Sequence, residues 1–128
     1  MKLLLDTCTF LWIAEGSEEV SHKAHECFRD PGNEVFLSVV SSWEIAVKYS
    51  LGNLPLPEPP ERFVPSRRAT YKVQLLPLDE ECALHVARLP RLHGDPFDRM
   101  LICQAFVHGL TLVTPDELIT QYGVHILW

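Results

Sequence analysis

Four short runs in this sequence are apolar at nearly every position, and each is cut off by a polar residue or a proline. Residues 2–5 meet Asp6, residues 34–38 continue through Val39-Val40 to Ser41, residues 73–76 stop at Pro77, and residues 110–113 stop at Thr114-Pro115. A strand with one wet face alternates apolar and polar side chains, whereas a run that is apolar at consecutive positions has to be covered on both faces. These runs are read as buried strands, with a short fifth at residues 124–127 after Gly123. Between them lie segments of helical pattern at residues 9–14, 21–28, 41–51, 60–70, 79–89, 96–107 and 115–122. In the sixth, Phe97, Leu101, Ile102, Ala105 and Phe106 recur at helical spacing and define a packing face. Buried strands alternating with amphipathic helices predict an α/β fold of three layers (α/β/α), with a central, mostly parallel sheet of four or five strands.

With 128 residues and 47% hydrophobic content, one domain spanning residues 1–128 can bury a core without covalent staples. No run approaches the roughly 18 to 20 apolar residues that span a bilayer, and Met1-Lys2-Leu3-Leu4-Leu5 reaches Asp6 too soon for a signal peptide, so a cytoplasmic protein is expected. Cys8, Cys27, Cys82 and Cys103 fall in helices or at strand ends and are expected as reduced, buried thiols. No Cys-x-x-Cys occurs, and His22 and His25, three apart among polar neighbours, read as solvated surface rather than as a zinc site. Residues 52–60, with prolines at 55, 57, 59 and 60, form a stiff extended connection inside the domain.

Ligands of open α/β sheets bind at the carboxyl ends of the strands, and here the residues just beyond those ends are acidic. Asp6 closes the first strand, Glu44 lies one turn into the helix after the second, Asp95 and Asp98 open the sixth helix, and Asp116 comes after the fourth strand. Each has a plain helical explanation. Ser41-Ser42-Trp43-Glu44 fits a capping box, Asp95-Pro96-Phe97-Asp98 puts a capping Asp before a proline, and Thr114-Pro115-Asp116-Glu117 repeats that layout. Together, however, four chain segments deliver like charges to one sheet edge, where they repel unless a cation lies between them. Mg²⁺ or Mn²⁺ takes such oxygen ligands together with substrate phosphate, and can activate water for phosphodiester hydrolysis without a covalent nucleophile. The formal charge of −6 argues against gripping nucleic acid by bulk electrostatics alone, and neither a Gly-x-Ser-x-Gly elbow nor a P-loop is present.

Four ordered blocks carry a family resemblance: Leu4-Leu5-Asp6-Thr7, Ser41-Ser42-Trp43-Glu44-Ile45-Ala46-Val47-Lys48, His93-Gly94-Asp95-Pro96-Phe97-Asp98-Arg99-Met100-Leu101 and Leu112-Val113-Thr114-Pro115-Asp116. Over nearly its whole length the chain resembles PIN domains, and within them the VapC-like toxins of toxin–antitoxin pairs. The resemblance implies a Rossmann-like sheet, Mg²⁺- or Mn²⁺-dependent cleavage of RNA, a homodimer and inhibition by a cognate antitoxin protein. It also implies metal-binding, catalytic roles for Asp6, Glu44, Asp98 and Asp116. Asp95 is favoured as a helix cap, with catalysis the lesser reading. The family often has Asn or His where this chain has Cys8, a departure that touches the surroundings of the ligands rather than the ligands. Thr7 and Thr114 could hydrogen-bond neighbouring carboxylates or could serve turns and caps equally well.

Arg62, Arg67, Arg68 and Lys72 form the one notable basic cluster, while Lys48 and Arg99 lie near the acids. Lys48, Arg67 and Arg68 are candidates for RNA phosphates, against the alternative of a solvated helix face. Arg99 has a claim on phosphate or on a carboxylate. Phe10, Leu11, Trp12 and Ile13 serve the core or a groove for a partner helix, and Trp43 and Phe97 are expected in the core. Two rivals stand beside the nuclease. One is a silent scaffold of the same fold that binds antitoxin or RNA. The other is a haloacid dehalogenase-like phosphatase, which Asp6-Thr7-Cys8-Thr9 resembles; that chemistry needs a second Asp where Cys8 stands.

Overall fold

In the computed structural model, which describes residues 1–128, the apolar runs form β1 (Lys2–Leu5), β2 (Glu34–Ser38), β3 (Gln74–Leu76), β4 (Thr111–Val113) and β5 (Ile126–Leu127), and the strand expected to be buried at residues 73–76 proves to be an edge strand with Gln74 and Leu75 exposed. Every pairing is parallel and the strand order is β3-β2-β1-β4-β5. β1 lies at the centre, with Leu4 opposite Phe36 on one side and Leu112 on the other. The chain builds outward from β1 to β2 and β3, then crosses to β4 and β5, so the order reverses between β1 and β4. Ligands of such sheets bind at that reversal.

The two faces of β1 explain its uninterrupted apolar run. Leu3 and Leu5 point into one core with Phe10 and Ile13 of α1 (Thr7–Glu15), Ala24 of α2 (His22–Arg29), and Phe63 and Val64 of α4 (Pro60–Tyr71). Leu4 points the other way, onto Leu101, Ile102 and Ala105 of α6 (Pro96–His108) and Ile119 of α7 (Glu117–Thr120). The intervening α3 (Val39–Ser50) touches both cores, Val40 in the second and Ile45 in the first. Leu54 and Leu56 of the proline-rich connection pack against the first core before Pro60 opens α4. Gly109 ends α6 in the left-handed conformation at φ 64°, which turns the chain back into β4.

Several boundaries differ from expectation. Val39-Val40 begins α3 instead of extending β2, because the Ser38 hydroxyl accepts from the Val40 N–H and caps the helix. Ser41 is thus a buried residue inside the helix, and the capping box read at Ser41–Glu44 does not form. Residues 79–89 split into α5 (Glu80–His85) and a 3-10 turn (Val86–Arg88). At the end of the chain only Glu117–Thr120 is helical, since Asp116, not Thr114, is the cap.

Candidate active site

The switch between β1 and β4 is tied together by side chains. Asp6 leaves β1 buried and caps α1 through Oδ1, which accepts from the Thr9 N–H at 2.8 Å. Its Oδ2 accepts from the Thr114 hydroxyl at 2.6 Å, and the same hydroxyl oxygen accepts the Asp116 N–H at 3.1 Å. Thr114 thereby couples the acid after β1 to the acid after β4. On the other side, Thr7 donates to Glu44 Oε1 at 2.6 Å and stands 2.9 Å from the Ser41 hydroxyl, which leaves Ser41 to donate to it. Glu44, also buried, has its second oxygen ion-paired with Lys48 one turn further along α3.

Asp98 and Asp116 meet at a histidine. His93 Nε2 lies 2.8 Å from Asp116 Oδ2 and 3.2 Å from Asp98 Oδ2. Asp95 sits just outside this group: Oδ1 accepts from the N–H groups of Phe97 at 2.8 Å and Asp98 at 3.4 Å, so it caps α6. Asp116 also caps a helix, accepting from the Leu118 N–H at 2.9 Å. Capping and assembly of an acidic cluster are therefore not alternatives here. Asp6 and Asp116 do both.

The electrostatics record the crowding. Desolvation, followed by the charges of Asp95, Asp6 and Glu44, pushes Asp98 up to about 7. Burial raises Asp6 as well, against the hydrogen bonds from Thr114 and Thr9 that hold it down. The Glu44 carboxylate raises Lys48. Cys8 is exposed, contrary to the buried thiol expected, yet desolvation of its sulfur and the charges of Asp6, Glu44 and Asp98 push it up to about 11. All four cysteines are free.

This donor set suits a hard divalent cation. It offers carboxylate oxygens from four chain segments, Asp6 and Asp98 among them protonated more readily than ordinary aspartates because of burial and then the neighbouring carboxylates, with Lys48 paired to Glu44. Asp98 and Asp116 each place a carboxylate oxygen within 4.8 Å of the other, a spacing one ion can bridge.

Other residues singled out from sequence lie differently. Arg99 reaches no carboxylate; it donates to the Pro90 carbonyl at 2.8 Å, to those of Leu89 and Val86, and to the Tyr122 hydroxyl, fastening the loop before α6. Arg67 stacks on Phe63 and lies 3.6 Å from Glu58, and Arg68 lines a groove between α3 and α4. Neither is tied to the acids by a hydrogen bond or an ion pair. Trp43 is 62% exposed instead of buried, because it stands edge-on to Phe97 across the outside of α3 and α6. Phe10 and Ile13 are core, while Trp12 lines a cleft with Phe28 and Tyr71. Sequence reasoning did not single out His93 or Ser41. His93 was visible there only as the first residue of the block His93-Gly94-Asp95-Pro96-Phe97-Asp98, with no role assigned to it.

Residues 3–124 match the PIN domain family. Ribonuclease VapC16 of Mycobacterium tuberculosis is 40% identical over 75 residues, 59% of this chain and 50% of that protein, so the match spans half the length of the curated relative. Among solved structures, VapBC2 from Rickettsia felis bound to a promoter DNA fragment aligns with TM-score 0.75 at 12% identity, covering 99% of this chain and 98% of that one. FitAcB from Neisseria gonorrhoeae aligns with TM-score 0.65 at 19% identity over 98% and 96% of the two chains. No helix is long and apolar enough to cross a membrane. With the family matched across almost the entire sequence and the fold shared end to end, this chain belongs to the PIN domain family.

Proposed function

We propose that this protein is a metal-dependent endoribonuclease, the toxin of a toxin–antitoxin pair, with Asp6, Glu44, Asp98 and Asp116 as its metal-binding carboxylates. The observation that carries the reading is the linkage of Asp6, Asp116 and Asp98 through Thr114 and His93 at the sheet's switch point, with Glu44 near enough for its charge to raise Asp98. Mg²⁺ or Mn²⁺ held there supplies Lewis acidity toward a phosphoryl oxygen and makes water a competent nucleophile near neutral pH. The chain's own groups prepare the place. Thr114 sets Asp6 against Asp116, Thr7 and Ser41 orient Glu44, and Asp98, pushed up to about 7, would hold the cation in its ionised form. Lys48, half-exposed beside Glu44, supports contact with RNA phosphate.

The antitoxin is proposed from the toxin–antitoxin complexes among the structural neighbours, and a homodimer from the family resemblance. Action in the cytoplasm accords with the four free cysteines.

Asn caps helices about as well as Asp but carries no charge, which makes it the discriminating substitution. Wild type, Asp6→Asn and Asp98→Asn are compared for Mn²⁺-dependent RNA cleavage, with thermal melting in EDTA as the folding control. Variants that melt no lower than wild type and cut nothing support the assignment. Variants that cut at the wild-type rate reduce the acids to helix caps and leave a binding scaffold of the same fold.

A further inference from the structure

We propose that His93 is the positioning residue of this site, an imidazole fixed as the Nε2–H tautomer that donates to Asp116 and Asp98 and does not itself ligate the metal. The proposal rests on the nuclease reading and assigns a part to a residue outside the four acids.

The ring's orientation is set from behind. The Asp95 N–H donates to His93 Nδ1 at 3.0 Å, so that nitrogen presents its lone pair, and the proton of the neutral ring resides on Nε2. Nε2 faces Asp116 Oδ2 at 2.8 Å and Asp98 Oδ2 at 3.2 Å, and in the ionised form that binds a cation these oxygens only accept, so one N–H is shared between them. The side chain is only 10% exposed, and its own backbone is anchored. The Leu92 and His93 N–H groups donate to the Tyr122 hydroxyl at 3.0 Å and 2.7 Å, while Arg99 holds Tyr122 and the carbonyl of Pro90.

Ligation by His93 works against this arrangement. Nε2 must lose its proton before it can bind a cation, and turning Nδ1 inward sacrifices the Asp95 contact. As a donor the ring costs the site nothing. It bridges two acids that arrive on different elements, α6 and the cap of the four-residue α7, and fixes one oxygen of each. Being neutral, it leaves the cluster's negative charge intact for a cation, which a lysine in its place would cancel.

Long-range ¹H–¹⁵N correlation of the imidazole, recorded on the full chain with and without Mg²⁺, reads the tautomer directly. A protonated Nε2 and bare Nδ1 in both states is the expected result; loss of the Nε2 proton on adding Mg²⁺ means ligation and overturns the proposal. Mn²⁺ affinity by calorimetry provides the second measurement. His93→Ala is expected to bind Mn²⁺ about 10-fold or more weakly, and His93→Gln, whose amide N–H₂ reaches a similar position, to recover most of the loss. An alanine variant as tight as wild type overturns the role of His93 alone. A wild type that binds neither Mg²⁺ nor Mn²⁺ overturns the nuclease reading and, with it, the purpose given to His93, whatever tautomer the spectrum reports.

Discussion

Between pH 4 and 7 Asp98 holds a proton in the folded chain that it has already released in the unfolded one, since its pKa rises from 3.8 to about 7. The folded state then binds the extra proton, so the contribution of Asp98 to stability is complete below pH 4 and disappears as pH rises through 7. Asp6 is shifted in the same direction. Asp79, whose pKa is lowered, acts below 3.8 and does not oppose this slope. At pH 8 without divalent cation, Asp98→Asn is therefore expected to raise stability by about 2 kcal/mol in urea unfolding, roughly half of what the displacement implies at full strength, because water still reaches the carboxylate. A variant less stable than wild type at that pH contradicts the crowding. Cys8 reports the same field from its edge. With its thiol held up at about 11 by burial and the neighbouring carboxylates, alkylation by iodoacetamide at pH 8 should be slow. Mg²⁺ should accelerate it several-fold by neutralising Asp6, Glu44 and Asp98. An unchanged labelling rate, measured by mass spectrometry, tells against a cation beside this residue.

Among the elements, α6 offers the cleanest separation of capping from chemistry. Asp95→Ala removes the acceptor for two N–H groups and is expected to cost about 1 to 2 kcal/mol, whereas Asp95→Asn should melt close to wild type and keep RNA cleavage. Cleavage lost in the Asn variant at unchanged melting temperature makes Asp95 catalytic. This cap was legible in the sequence because Asp95-Pro96 is followed by a run of helical spacing, which Asp30-Pro31, in a turn, is not. The central strands were equally legible, as consecutive apolar residues leave a strand no wet side, but the same pattern misled at β3, an edge strand with Gln74 and Leu75 exposed. Less so was the start of α3, where Val39-Val40 suits strand and buried helix alike and a single serine hydroxyl decides between them. The short end of α5 was hidden too, because the 3-10 turn at Val86–Arg88 depends on carbonyls that Arg99 gathers from another part of the chain. That Arg99 binds carbonyls and His93 binds carboxylates is decided by how the loop before α6 folds back toward Tyr122, a contact across about 30 residues that no local pattern encodes.

For the whole molecule, proton and cation compete for one cluster. Mg²⁺ or Mn²⁺ at a hundred times its Kd should add about 2.7 kcal/mol, a rise of roughly 10 °C in Tm for a chain of this size. The gain should be large at pH 8 and much smaller at pH 5, where Asp98 is protonated. Differential scanning fluorimetry across that range checks it, and an equal shift at both values shows the ion bound elsewhere. The placement of the cluster carries a consequence for how the protein is made. Asp6 is synthesised 108 residues ahead of Thr114, and the hydroxyl of that later residue hydrogen-bonds both Asp6 and Asp116. β1 is the middle of the sheet and receives β4 only after α6 has been made. A ribosome that has not yet passed Asp116 consequently holds a chain in which the four acids have not met, and whatever they do together begins only once β4 has joined β1.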